Sequence, residues 1–208
     1  MLTRRLRSAY TPFAAKMFNN LPSVGPPHRV MMYDLHTLQN RFYFAGNALA
    51  TLHTAFPLLI QKMQAADCNI DCVAFPDDGA QKRFGSLFKK AFPEMELVTC
   101  AKKRDSVDPV HGKKKVVICD GDVRGKHVVI VDDMIQSGGT LFECAQALKQ
   151  EGAVSISAFC THAIFPNQSW KRFAHGGDRV IFKKIWLTNS NPTITSVRND
   201  FQVALYLA

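Results

Sequence analysis

The sequence predicts an α/β fold, an open and mainly parallel sheet with helices packed on its faces. Three observations predict it. Short apolar runs of strand length alternate with longer segments whose apolar residues recur at helical spacing. Proline and glycine punctuate many of the joins between them. Five polar motifs, DLH, PDDG, TCAKKR, DDMIQSGGT and CTHAIF, each follow a predicted strand directly, and in such a sheet that lines them along one rim.

The elements follow in order. A short helical stretch ends at LPSVGPPH (21–28), whose prolines and glycine separate it from the strand RVMMY (29–33), which runs into Asp34-Leu35-His36. Residues 51–65, TLHTAFPLLIQKMQA, set Leu52, Phe56, Leu59 and Met63 on one face and predict a helix, with Pro57 as a kink or a restart. IDCVAF (70–75) reads as a buried strand cut off by Pro76-Asp77-Asp78-Gly79. AQKRFGSLFKKAF (80–92) is an amphipathic helix with Phe84, Leu87, Phe88 and Phe92 inward. MELVTC (95–100) is the next strand, and the basic AKKRDSVDPVHGKKK (101–115) after it predicts a loop or a hairpin. HVVIVD (127–132) is a strand, and the segment from Thr140 is a helix ended by Gly152. SISAFCTH (155–162) is a strand, WKRF (170–173) a short helix and RVIFKKIWLT (179–188) a further strand.

Composition bounds the function. The 208 residues are 47% hydrophobic, enough for one large core, and 26 Lys and Arg against 17 Asp and Glu give a net charge of +9. Such a surface attracts polyanions: nucleic acid, anionic membrane or phosphorylated metabolites. Charge alone does not choose among them; no apolar run is long enough to span a membrane, and no aromatic-basic stripe is evident, which ranks nucleic acid last. None of the six cysteines forms a C-x-x-C pair, and they read as reduced core thiols of an intracellular protein, the close pair Cys68 and Cys72 included. The acid-free start, MLTRRLRSAYTPFAAKMFNN, reads either as a transit peptide or as an ordinary basic helix.

The richest stretch is VVIVDDMIQSGGT (128–140). A strand that delivers Ser137-Gly138-Gly139-Thr140 to the start of a helix gathers backbone N–H groups, two hydroxyls and the positive helix end around one small volume. That volume suits a phosphate monoester, and the glycines keep Cβ atoms out of the turn and away from the phosphate oxygens. No Lys follows the glycines, so this is not a Walker A loop. Asp132 and Asp133 repel phosphate, but paired acceptors suit vicinal ribose hydroxyls. A phosphate at one end and a diol at the other describe ribose 5-phosphate or its pyrophosphorylated form. Acidic and small residues chosen only for capping are the bland alternative.

This stretch resembles the phosphoribosyl-diphosphate binding loop of type I phosphoribosyltransferases and of ribose-phosphate diphosphokinases. DLHTLQNRFYF, FPDDGAQKRF, TCAKKR and THAIFPNQSWKRF resemble, in order, the DLH, PD-G, flexible-loop and TH-F segments of the diphosphokinases. Their wording is most similar to the plant-type, phosphate-independent subgroup. The resemblance runs from about Tyr10 to the end and implies a type I phosphoribosyltransferase-like parallel sheet flanked by helices.

The activity so implied transfers a diphosphoryl group from Mg-ATP to ribose 5-phosphate, giving 5-phosphoribosyl 1-diphosphate for nucleotide biosynthesis, with Mg²⁺ as cofactor and ATP as co-substrate. By motif, His36 and Asp77 are the implied Mg²⁺ ligands, with Asp78 the weaker candidate, and Lys102 and Arg104 the implied catalytic cations. Asp132 and Asp133 meet the ribose, and Gln136, Ser137, Gly138, Gly139 and Thr140 the 5-phosphate. His162 reads as a packed or supporting residue.

Part of the family pattern has no counterpart here, including its ATP-binding Arg segment. The resemblance therefore implies residues 1–51 as the second half of an N-terminal domain, 52–200 as a nearly complete C-terminal domain, and 201–208 as the start of a return strand. A half-domain exposes apolar surface around Met31, Met32 and Phe42, which predicts a homo-oligomer, a hetero-oligomer with synthetase subunits or a longer natural chain. TPFAAKMFNNLP is similar to an internal helix of the family, which favours the cytoplasm over the mitochondrion. A non-catalytic or regulatory relative that binds ribose phosphates or synthetase subunits, and a phosphoribosyltransferase, are the alternative readings.

Overall fold

The computed structural model describes residues 2–65, 68–104, 114–173, 181–195 and 203–205. The chain divides into two compact units, Met1–Thr54 and Ala55–Ala208.

In the first unit, helix α1 (Leu2–Asn19) leads to two parallel strands, β1 (His28–Tyr33) and β2 (Ala48–His53), paired from His28 opposite Ala48 to Tyr33 opposite His53. Their crossover carries a 3-10 helix, Leu38–Tyr43. Asn19 ties the end of α1 to this crossover, donating to the Tyr43 carbonyl at 2.8 Å and accepting from the Ala45 N–H at 3.0 Å. The helix expected over residues 51–65 is corrected here. Leu52 belongs to β2, and the helix, α2 (Phe56–Gln64), begins at Phe56 with Pro57 in its first turn, where the missing N–H costs nothing.

The second unit is built on strands β3 (Cys72–Phe75), β4 (Glu96–Arg104), β5 (Lys114–Asp120), β6 (His127–Ile135), β7 (Ser155–Ala163), β8 (Phe182–Thr188) and β9 (Val203–Leu205). They form one sheet in the order β5-β4-β3-β6-β7-β8-β9. Every neighbouring pair is parallel except β4 with β5, which makes the basic segment a hairpin. Residues 105–113 of that segment lie outside the described residues. All four residues of β3 and Val128 to Val131 of β6 are buried, as both-sided burial by helices requires.

One face of the sheet is covered by α2 and by α3 (Asp78–Ala91) through an aromatic cluster. Phe56 stacks on Phe84 with ring centroids 3.9 Å apart and meets Phe88 and Phe159 edge-on at 5.9 and 5.2 Å. The other face is covered by α4 (Gly139–Gln150), whose Leu141, Cys144, Ala145 and Leu148 pack in one core with Val128, Ile130 and Cys160. Gly152, at φ +95°, stops α4 as expected, its N–H donating to the Lys149 carbonyl. Beyond β7 the chain makes a 3-10 segment, Pro166–Phe173, and beyond β8 a single helical turn, α5 (Pro192–Thr195).

Candidate functional site

The end of β6 and the start of α4 build the loop. Gly138 sits at the cap of α4 with φ +77°, and a Cβ there would stand 2.4 Å from the Phe173 ring, so backbone conformation and packing both demand glycine. Gly139 differs. A Cβ on it would meet nothing nearer than the Ser137 hydroxyl at 3.8 Å, so its bareness leaves room rather than avoids a clash. The loop is braced from beneath: the Ile164 N–H donates to the Ile135 carbonyl at 2.9 Å and the Phe165 N–H to the Gln136 carbonyl at 3.1 Å. Gln136, Ser137 and Thr140 are exposed. The result is a glycine turn at the N-terminus of a twelve-residue helix with no side-chain cap, an arrangement that can receive an anion.

Strand alternation separates the two acids. Asp132 lies opposite Cys160 in the register, half-buried on the α4 side, and its carboxylate accepts the Asp133 N–H at 2.8 Å. Its charge reaches α4: the Cys144 thiol is pushed well above its ordinary value by its hydrogen bond with Cys100 and by burial, with Cys100 and Asp132 adding to the shift. Asp133, 3% exposed, points instead toward α3 and takes an ion pair from the Arg83 guanidinium, which also lies 4.6 Å over the Phe84 ring. The structure thus puts Asp132 beside the loop and commits Asp133 to the sheet's other face.

Lys102 is brought to the loop. From β4 its ammonium donates to the Thr140 hydroxyl at 3.0 Å and lies 3.3 Å from the Glu143 carboxylate, one helical turn along α4. Side-chain direction explains this, since the Cys100 and Lys102 positions alternate onto the α4 face of β4. Arg104 ends β4 opposite Lys114 in the register, and its side chain lies outside the described residues.

Asp77 is the N-cap of α3, its Oδ1 accepting the Ala80 N–H at 2.9 Å, and it is exposed at the end of β3. The cap occupies one of its two carboxylate oxygens. His36 is exposed in the first unit, just after β1. Among the described residues no group of three or more His, Cys, Asp or Glu could hold a metal ion. His162 is half-buried and its Nδ1 meets the Ser190 hydroxyl at 3.0 Å.

Three residues of the site escaped the sequence reading. Arg83 and Glu143 each sit within an ordinary amphipathic helix, and nothing local says that one reaches Asp133, 50 positions away, or that the other reaches Lys102. Phe173 lay within a quoted motif, but only the folded chain shows that its ring fills the space where a Gly138 Cβ would stand.

The description "Phosphoribosyl transferase domain" fits residues 54–191. Ribose-phosphate pyrophosphokinase 4 of Oryza sativa subsp. japonica is 44% identical over 192 residues, covering 89% of this chain and 56% of the relative. The rice ribose-phosphate pyrophosphokinase 3, chloroplastic, is 40% identical over 199 residues, covering 90% of this chain and 45% of the relative. The chain therefore spans about half the length of the curated relatives it matches. Among solved structures, the phosphoribosylpyrophosphate synthetase from Mycobacterium smegmatis superposes with a TM-score of 0.65 at 26% identity, covering 86% of this chain and 54% of that one. The α/β fold, the loop at the head of α4 and the match over 54–191 together show that this chain belongs to the phosphoribosyl transferase domain family.

Proposed function

We propose that this chain carries the ribose 5-phosphate half of a ribose-phosphate diphosphokinase, the enzyme that moves a diphosphoryl group from Mg-ATP to the anomeric hydroxyl of ribose 5-phosphate and releases AMP. In this reading Ser137, Gly138, Gly139 and Thr140 bind the 5-phosphate through backbone N–H groups and hydroxyls, with Gln136 at the edge of the loop. Asp132 accepts from the ribose hydroxyls. Asp133 acts from beneath, fixing the end of β6 through Arg83. Lys102 and Arg104 supply positive charge where it develops on the transferred phosphoryl oxygens.

The observation that carries the reading is the 3.0 Å contact between the Lys102 ammonium and the Thr140 hydroxyl. It joins two motifs 38 residues apart, one assigned to phosphoryl transfer and one to the acceptor phosphate. A phosphate-binding loop alone would serve any phosphoribosyl protein, whereas a lysine delivered onto it from the neighbouring hairpin supports transfer chemistry.

Mg²⁺ fits the donor set on one condition. It keeps several waters and is held by one or two carboxylates plus substrate phosphates, so the capping Asp77 with one oxygen to spare suits it, and an all-protein cage does not. Asp77 is the carboxylate that would hold the ion, which when bound neutralises phosphate charge. His36 stays a candidate ligand by its motif alone. The fully buried thiols of Cys72, Cys100, Cys144 and Cys160 suit a reducing compartment such as the cytoplasm. Met31 at 65% and Phe42 at 72% exposure support burial of the first unit against a second copy or a synthetase subunit.

The test is to mix the chain with ribose 5-phosphate, ATP and Mg²⁺ and follow AMP. AMP that depends on all three supports transferase activity. A thermal shift with ribose 5-phosphate, lost in Asp132→Ala, without AMP supports a binding role only, and no response to either ligand overturns both.

A further inference from the structure

Cys100 of β4 and Cys144 of α4 are fully buried and free, and their sulfurs stand 3.4 Å apart. A disulfide brings sulfurs to about 2.0 Å, so closure asks for roughly 1.4 Å of movement. The pairing of β4 with β5 shifts register between Thr99 and Cys100, so the ladder is already irregular at the position that closure would move.

The pair lies directly below the site. Cys100 precedes Lys102 by two strand positions, and Cys144 follows Thr140 by one helical turn. Two links therefore bridge β4 and α4, the polar one through Lys102 and the thiol one beneath it. The hydrogen bond that Cys144 donates to the Cys100 sulfur sets the two sulfurs facing one another, so either can resolve the oxidised form of the other.

We propose that Cys100 and Cys144 are a reversible disulfide site whose oxidant is a small hydroperoxide. The thiolate of one cysteine attacks the O–O bond of hydrogen peroxide, which breaks to give a sulfenic acid and hydroxide, and the hydroxide takes up the proton that this thiol released and leaves as water. The other sulfur then attacks the sulfenic sulfur; the S–S bond forms, the S–O bond breaks, and a second water leaves with the thiol proton. Two thiols and one hydrogen peroxide become one disulfide and two waters, a two-electron oxidation of sulfur. Full burial selects a small oxidant over a bulky disulfide. The bond would pin β4 to α4 and hold Lys102 against Thr140 and Glu143, stopping it from following a transferred phosphoryl group. That last consequence rests on the role given to Lys102 above.

The test treats the reduced chain with hydrogen peroxide, blocks the remaining thiols with N-ethylmaleimide, digests without reduction and maps the peptides by mass. The expected result is a pair of peptides joined through Cys100 and Cys144, about 2 Da lighter than their sum. It should be absent from both Cys100→Ala and Cys144→Ala and reversed by dithiothreitol. AMP release should fall at least tenfold with linking in the wild type and persist in Cys100→Ala. Peroxide that oxidises the exposed Cys119 yet yields no linked peptide overturns the site. A linked peptide with undiminished AMP release overturns the pinning of Lys102. A chain that releases no AMP before oxidation contradicts the functional reading alone, because the linked peptide and its higher melting temperature still report the disulfide.

Discussion

Arg83 of α3 holds Asp133 of β6 in a largely buried ion pair on the sheet face opposite α4. Asp133 has only 5% of its side chain exposed, and the guanidinium offsets part of the cost of burying its charge. Asp132, the next residue back, accepts the Asp133 N–H and is thereby turned toward α4.

Removing Arg83 takes a cationic partner away from a buried carboxylate. Arg83→Met is expected to lower stability by about 3 kcal/mol, and adding Asp133→Asn to recover part of that, because the amide carries no charge to strand. Urea unfolding of the two variants and the wild type measures both steps.

The loop glycines should separate cleanly. Gly138→Ala forces a Cβ into positive φ and onto Phe173, and is expected to cost about 1–3 kcal/mol in urea unfolding. Gly139→Ala is expected to leave unfolding within about 0.5 kcal/mol of wild type and instead to abolish the thermal shift with ribose 5-phosphate, since its Cβ stands where a ligand, not protein, is expected.

Lys102 is 40% exposed and its contacts are surface contacts, so Lys102→Ala should change stability by less than about 0.5 kcal/mol. Activity should respond quite differently. A fall of about a hundredfold or more in AMP release, with ribose 5-phosphate still shifting the melting temperature, is the expected signature of a residue that acts on the transferred group.

Acid should weaken one edge of the sheet in a defined way. The hydrogen bond from Lys126, aided by the Asp122 N–H, holds the Glu96 carboxyl below its ordinary value of 4.5. A folded-state pKa below the unfolded one contributes stability that is fully present above about pH 4.5 and is lost as pH falls through the lowered value. Partial exposure of Glu96 keeps the contribution small. Melting temperatures between pH 7 and pH 3 should therefore fall slightly less steeply for Glu96→Gln than for wild type.

Elements buried on both faces were legible, because β3, β6 and β7 need uninterrupted apolar runs and their sequences supply them. β2 was not: in ALATLH the spacing of Leu52 to Phe56 imitates a helix, and only pairing with β1 makes it a strand. β5 was half legible, as the hairpin alternative to a loop, because its first residues, Lys114 and Lys115, extend a basic run that also reads as solvated. The loop and Lys102 were visible as motifs, since backbone chemistry demands particular residues at consecutive positions. The opposed fates of Asp132 and Asp133 were not, because two adjacent carboxylates look alike until a strand sends them to opposite faces.

Calorimetric titration with ribose 5-phosphate, comparing wild type with Asp132→Ala and Gly139→Ala, is the most direct test of the acceptor site. Saturable binding with one site per chain, weakened at least tenfold in each variant, is the predicted result. Absence of binding by a folded wild-type chain, or binding that both variants leave unchanged, would contradict it.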